Sequence, residues 1–299
     1  MVLVAPVKFE QTKSFLVNQY RMLAKALKGS LKTLGPSLPQ PKLLIGGWSG
    51  TFIDPYSKAI VGAFDQLFQK HGMQIPLPLI RSGMGRSTWD HIKVLLSEPI
   101  IRQQWKREHG RWPIDRDQTI LYSQYIPIQT AFLSKDDNVR PIPKTVETLK
   151  ALKDKYGLKI AVTTSFDPTI SDRIIKTLRE HHSPLLSLID DVIPARGRPY
   201  PDAIVALQDK YRVISPSRIW KLDNTSPGIA EGQNANCITV GLSEYCNEMG
   251  KVVDLNPAII EKGRQASLES LSKADYVIPT IDHLPGLMEK LAWQDAGTN

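Results

Sequence analysis

The chain runs to 299 residues, 41% hydrophobic and 23% charged, which suits one large α/β domain or a core carrying an inserted module. No window approaches the roughly 18 consecutive apolar residues of a membrane-spanning helix, so no span is expected, and two cysteines, Cys237 and Cys246, exclude a disulfide framework. Net charge is +8, but residues 1–42 hold seven bases (Lys8, Lys13, Arg21, Lys25, Lys28, Lys32, Lys42) against Glu10, leaving 31 bases and 29 acids elsewhere; so neutral a body lacks the broad basic face of a nucleic-acid binder.

Residues 1–42 read as a basic amphipathic extension with a Pro-rich linker. Leu16, Tyr20, Leu23 and Leu27 recur at helical spacing within a predicted helix over 12–28. Gly29 stands where a left-handed cap ends a helix, and Pro36, Pro39 and Pro41 make 33–42 extended. Basic, amphipathic and nearly acid-free is the composition of a mitochondrial transit segment, so mitochondrial localisation is expected, with the cytoplasm as the alternative. The apolar stripe is expected to dock on other protein subunits by helix-in-groove contact.

Leu43-Leu44-Ile45 then reads as a buried strand entering the turn Gly46-Gly47-Trp48-Ser49-Gly50-Thr51. Residues 57–140 are helix-rich, with helices predicted over 59–72, 87–96, 100–109 and 119–134, and read as an inserted cap. From 143 onward helix and strand alternate. Helices are predicted over 145–156, 167–181, 202–211, 227–236 and 284–291, and strands over 159–164, 188–193, 219–222, 237–242 and 276–279. Alternation of this kind implies a parallel sheet with helices on both faces, its core formed by 43–56 and 141–299.

Over about residues 42–292 the motifs resemble the phosphonoacetaldehyde hydrolase family of the haloacid dehalogenase (HAD) superfamily. Gly47-Trp48-Ser49-Gly50-Thr51 stands where that family has Asp-Trp-Ala-Gly-Thr. Met84-Gly85 with Asp90-His91 matches its cap signature, and Gly197-Arg198-Pro199-Tyr200-Pro201 its Gly-Arg-Pro-Tyr-Pro loop. Glu231-Gly232, Asn234-Ala235 and Thr239-Val240-Gly241 match its last core motif. The resemblance implies a HAD-like Rossmannoid core with a helical cap.

It also implies a reaction that breaks a carbon–phosphorus bond, using an aspartate nucleophile, a Schiff-base lysine and a Mg²⁺ held by carboxylates. Here the nucleophile position is Gly47 and the lysine position is Thr88. The two loop aspartates fall at Asn224 and Gly228. Asp223 is one residue early, and strand alternation is expected to turn it to the other face. Asp54 lies beyond the turn, where the family also has an aspartate. Thr163 and Arg198 survive as a possible anion site, although Arg198 is expected to pair with an acid such as Asp90 or Asp223.

Elsewhere structural roles are expected. His91 suits packing, and His181-His182 suit a helix C-terminus. Trp89, Trp105, Trp112, Trp220 and Trp293 read as core or interface anchors. Arg102, Lys106, Arg107 and Arg111 form a basic run that Glu108 interrupts, and the two cysteines lack zinc spacing. The reading is therefore a pseudoenzyme with no cofactor and no metal, serving as a scaffold subunit of a respiratory complex, an ATP synthase or a mitochondrial ribosome. Its alternatives are an active hydrolase of phosphonates or phosphoesters with a rebuilt site, and an RNA-binding ribosomal component.

Overall fold

Six strands pair in parallel: β1 (Leu43–Gly46), β2 (Lys159–Thr164), β3 (Asp191–Pro194), β4 (Ile219–Asp223), β5 (Ile238–Leu242) and β6 (Tyr276–Ile278). Their order across the sheet is β3-β2-β1-β4-β5-β6. The computed structural model describes residues 38–251 and 256–291, of which Gln40–Lys290 form one compact unit. The helix expected over 12–28, with Leu16, Tyr20, Leu23 and Leu27, lies outside the described residues, as does Trp293. Among the described residues no helix is long and apolar enough to cross a membrane.

The sheet follows from the composition of its strands. β1 and β4 are buried along their whole length, as expected for parallel strands covered on both faces. Leu43, Ile45, Ala161 and Ile219 pack against Ile204 and Leu207 of the helix Asp202–Lys210. The chain fills one side of the sheet from β1 to β3, then crosses to β4 and fills the other. The carboxyl ends of β1 and β4 therefore flank a topological switch point, where open α/β sheets place ligands.

Of the six α-helices between β1 and β2, the first five are α1 (Lys58–Gln69), α2 (Leu77–Ser82), α3 (Thr88–Ser97), α4 (Pro99–His109) and α5 (Asp115–Phe132). α1 and α3 pack on α5, and Phe64 of α1 lies against Tyr125 of α5 with ring centroids 4.4 Å apart. The joint into this layer is strained: Asp54, Tyr56 and Ser57 hold φ of 50°, 64° and 53°. Non-glycine residues in that region cost about 1–3 kcal/mol each.

The remaining helices are α6 (Thr145–Tyr156), α7 (Pro168–His181), α8 (Ser183–Leu188), α9 (Asp202–Lys210), α10 (Ser226–Asn234), α11 (Pro257–Ser270) and α12 (Leu284–Lys290). Several elements differ from expectation. The strand expected over 188–193 begins at Asp191, because Pro184, in a helical first turn, starts α8 ahead of it. α2 carries Pro76 and Pro78 at its start, where a missing N–H costs nothing, although the pair reads as a loop. α11 was not expected at all.

Candidate functional site

Four charged side chains meet where β2 and β4 end. Lys221, on β4, is fully buried among Thr163, Asp223 and Glu231. Its ammonium donates to Thr163 Oγ1 at 3.2 Å and lies 3.1 Å from both Asp223 Oδ2 and Glu231 Oε2. Arg198 reaches in from the loop before α9, its Nη2 3.2 Å from Asp223 Oδ2 and its Nε donating to Glu231 Oε2 at 3.1 Å. Burial of Asp223 works against its charge, but Arg198 and Lys221 outweigh burial and hold its pKa below the usual carboxylate range. Burial likewise opposes the Arg198 charge, and Asp223 and Glu231 outweigh it.

The two carboxylates are engaged unevenly. Asp223 Oδ1 accepts from Thr225 N–H at 3.0 Å and Thr225 Oγ1 at 2.8 Å. Asp223 Oδ2 meets its two cations outside hydrogen-bonding angles and has no aligned donor. Glu231 Oε1 likewise has no partner, while Oε2 also accepts from Thr163 Oγ1 at 3.3 Å.

Asp223 therefore overturns the expectation that strand alternation would turn it away. A Cβ built on Gly47 would lie 3.7 Å from Asp223 Oδ2 and 2.9 Å from Arg198 Nη2. A Cβ on Gly228 would lie only 2.0 Å from Asp223 Cγ. One carboxylate thus sits between two positions that lack side chains. It is the last residue of β4, where Thr225 and the two cations, rather than pleat alternation, set its direction.

The other expected positions divide. Asn224 turns away from the cluster, against Gly50 (φ 75°) and within reach of Thr51 Oγ1 at 3.3 Å. Thr163 and Arg198 come together, with Arg198 Nη2 3.5 Å from the Thr163 carbonyl. Thr88 opens α3, next to a cap segment lying directly over the core loops. There a Cβ on Gly85 would meet Thr225 Oγ1 at 2.6 Å, and one on Gly197 would meet Ser87 Cβ at 3.1 Å. Asp90 accepts from Ser87 rather than from Arg198.

Lys221 was absent from the sequence reading. Its signal was a lysine inside an apolar run destined for a central parallel strand, where a buried charge must find partners.

The donor set does not fit a divalent cation. Mg²⁺ takes near-octahedral oxygen ligands and is held by proteins through one or two uncommitted carboxylates together with water. Asp223 is committed to Thr225, Arg198 and Lys221, Asn224 is neutral, and Gly228 has neither side chain nor space for one. Among the described residues no group of three or more His, Cys, Asp or Glu could hold a metal. A dication 4 Å from a guanidinium would also be repelled by about 8 kcal/mol at an effective dielectric near 20.

Residues elsewhere carry structural duties. His91 is buried with Nε2 2.7 Å from the Ile80 carbonyl, and burial pushes its pKa down to about 4. His182 caps α7 and pairs with Asp136. Arg111 forks onto Asp117 at 2.6 and 2.7 Å, Arg107 pairs with Glu108, and Arg102 and Lys106 lie over Trp112. Trp105 and Trp220 are core, Trp89 and Trp112 are exposed, and both cysteines are free and buried.

The family model for haloacid dehalogenase-like hydrolase matches residues 22–236. The chain is 31% identical over 250 residues to a phosphonoacetaldehyde hydrolase of Vibrio vulnificus, covering 81% of this chain and 91% of that protein. It is 29% identical over 252 residues to that of Bordetella pertussis, covering 82% and 90%. A crystal structure of a phosphonoacetaldehyde hydrolase-like protein from Oleispira antarctica superposes with a TM-score of 0.77 at 27% identity, covering 87% of this chain and 95% of that chain.

These likenesses correct one expectation. The sequence reading made the chain a non-enzyme, and the hydrolase family match with relatives named as enzymes overturns it. That expectation rested on the missing nucleophile at Gly47, the missing amine at Thr88 and the missing loop carboxylates at Asn224 and Gly228. Asp223 at the end of β4 and Glu231 on α10 keep two carboxylates in the cluster, held by the buried Lys221 and the partly buried Arg198.

Proposed function

This chain belongs to the haloacid dehalogenase-like hydrolases, and from that premise we propose that it hydrolyses a small phosphoester, with Asp223 supplying the attacking carboxylate. One observation carries the reading: Asp223 Oδ2 is held beside two cations, has no aligned hydrogen-bond donor, and stands 3.7 Å from where a Cβ on Gly47 would be. A carboxylate oxygen kept ionised by flanking cations, with no aligned donor hydrogen-bonded to it, is suited to in-line attack on phosphorus.

In the first step Asp223 Oδ2 forms a bond to phosphorus while the bond to the ester oxygen breaks. The electron pair leaves with that oxygen, which takes a proton from water. A second water then attacks the acyl phosphate, releasing inorganic phosphate and restoring the carboxylate. Arg198 and Lys221 stabilise the charge on the reacting oxygens throughout. Cleavage of a carbon–phosphorus bond through an imine would need an amine at the position of Thr88, which offers only a hydroxyl; an alkoxide leaving group needs no such electron sink.

The test is phosphate release from a panel of small phosphomonoesters and from phosphonoacetaldehyde. Turnover is expected on a phosphomonoester. Asp223→Asn should lower kcat by about 10³-fold or more, and mass spectrometry of quenched enzyme should find phosphate on Asp223. Absence of release from every substrate, or full turnover by Asp223→Asn, would refute the reading.

A further inference from the structure

We infer that the positive charge of this site is built into the chain as Lys221 and Arg198, and that no divalent cation enters it. The inference rests on the reading of Asp223 as the reacting carboxylate and extends it to the site's ionic requirement.

Lys221 stands where a bridging cation would have to stand. Its ammonium is 3.1 Å from Asp223 Oδ2, 3.1 Å from Glu231 Oε2 and 3.2 Å from Thr163 Oγ1. It therefore contacts both carboxylates of the cluster at once, and it does so with no solvent exposure. Arg198 contacts the same two oxygens from the loop before α9. A metal ion would have to expel the Lys221 ammonium from between the carboxylates, and a buried lysine parted from its anions has nowhere to place its charge.

The surrounding positions close the remaining routes. The second Asp223 oxygen is occupied by two Thr225 donors. Asn224 is drawn off towards Thr51. A side chain at Gly228 would collide with Asp223 itself. Of the two carboxylate oxygens without an aligned donor, Asp223 Oδ2 already faces the Lys221 and Arg198 cations at 3.1 and 3.2 Å, which leaves Glu231 Oε1 alone clear of them. Fixed ammonium and guanidinium groups can meet the same electrostatic demand, since Lys and Arg clamps neutralise a transferring phosphoryl group as metals do.

The full chain would be titrated with Mg²⁺ and with Mn²⁺ while Tm is read, and phosphate release would be compared with and without EDTA. The wild type should show no metal-dependent rise in Tm and equal release in both buffers. Lys221→Met should fold less stably and gain a Mn²⁺-dependent rise in Tm, because Asp223 and Glu231 would then share one cation. A wild-type Tm that climbs with Mg²⁺ or Mn²⁺, and ceases to climb in Asp223→Asn, would overturn the inference. So would release that EDTA abolishes and Mg²⁺ restores. If no substrate is turned over at all, the phosphoester reading falls, and the wild-type metal titration still decides this one. The titration also decides alone should Lys221→Met fail to fold.

Discussion

Asp223 and Gly228 compete for one space: a Cβ on Gly228 would lie 2.0 Å from Asp223 Cγ and 2.2 Å from each carboxylate oxygen. Asp223 is fully buried and tied to Thr225, so it cannot yield as a surface side chain would. Gly228→Ala should cost about 1–3 kcal/mol in urea unfolding, as overpacked sites do, and should lower phosphate release by displacing the carboxylate. A variant as stable as wild type would show that the two positions do not share this space.

Gly47→Ala should be milder. Its Cβ would approach Arg198 Nη2 at 2.9 Å, the far end of a flexible side chain, and Gly47 does not have positive φ. The expected loss is below about 1.5 kcal/mol, so unfolding midpoints should rank wild type, then Gly47→Ala, then Gly228→Ala. Reversal of the two variants would contradict the geometry around Asp223.

Arg198→Ala should be the more destructive change. It removes one of two cations from a cluster with two buried carboxylates, leaving Lys221 to compensate both. Breaking a buried pair from one side costs about 3–5 kcal/mol. Glu231→Gln in the Arg198→Ala background should recover part of that loss, which a double-mutant cycle in Tm or urea would read.

Two buried groups tilt stability with pH in opposite senses. Burial raises Asp54 to about 7 from 3.8, against hydrogen bonds from Ala59 N–H and the field of Arg81. The folded form therefore holds a proton that the unfolded chain releases, and stability falls as pH climbs from about 4 to 7, by up to about 4 kcal/mol. His91 behaves oppositely: burial lowers it from 6.5 to about 4, so its contribution is complete above pH 6.5 and is lost as pH falls towards 4. Asp54→Asn should remove the first slope and leave the second, as urea midpoints across this range would register. An unchanged profile would place the titration on other groups.

The fold was legible where side-chain size carries the pattern. α6 and β2 fall at their expected bounds because Leu149, Leu152, Ile160 and Val162 mark the buried face. α11 hid because it buries Gly263 and Ser267, so no apolar stripe runs along it. At the site, motif order located Gly47, Thr163, Arg198, Asn224 and Gly228. Matching residues by position could not reveal that two empty positions leave room for one displaced carboxylate, since that is a fact of volume. Lys221 went unread because its partners Thr163, Asp223 and Glu231 come from three separate elements.

The pairing of Lys221 and Arg198 with Asp223 and Glu231 also bears on the kinetics of substrate capture. Two cations and two anions within one cluster cancel, so it presents no net charge to an approaching anion. Long-range steering, which raises association rates and fades as salt screens it, has no source there. As far as this cluster governs encounter with an anionic ligand, the association rate should stay nearly flat with ionic strength.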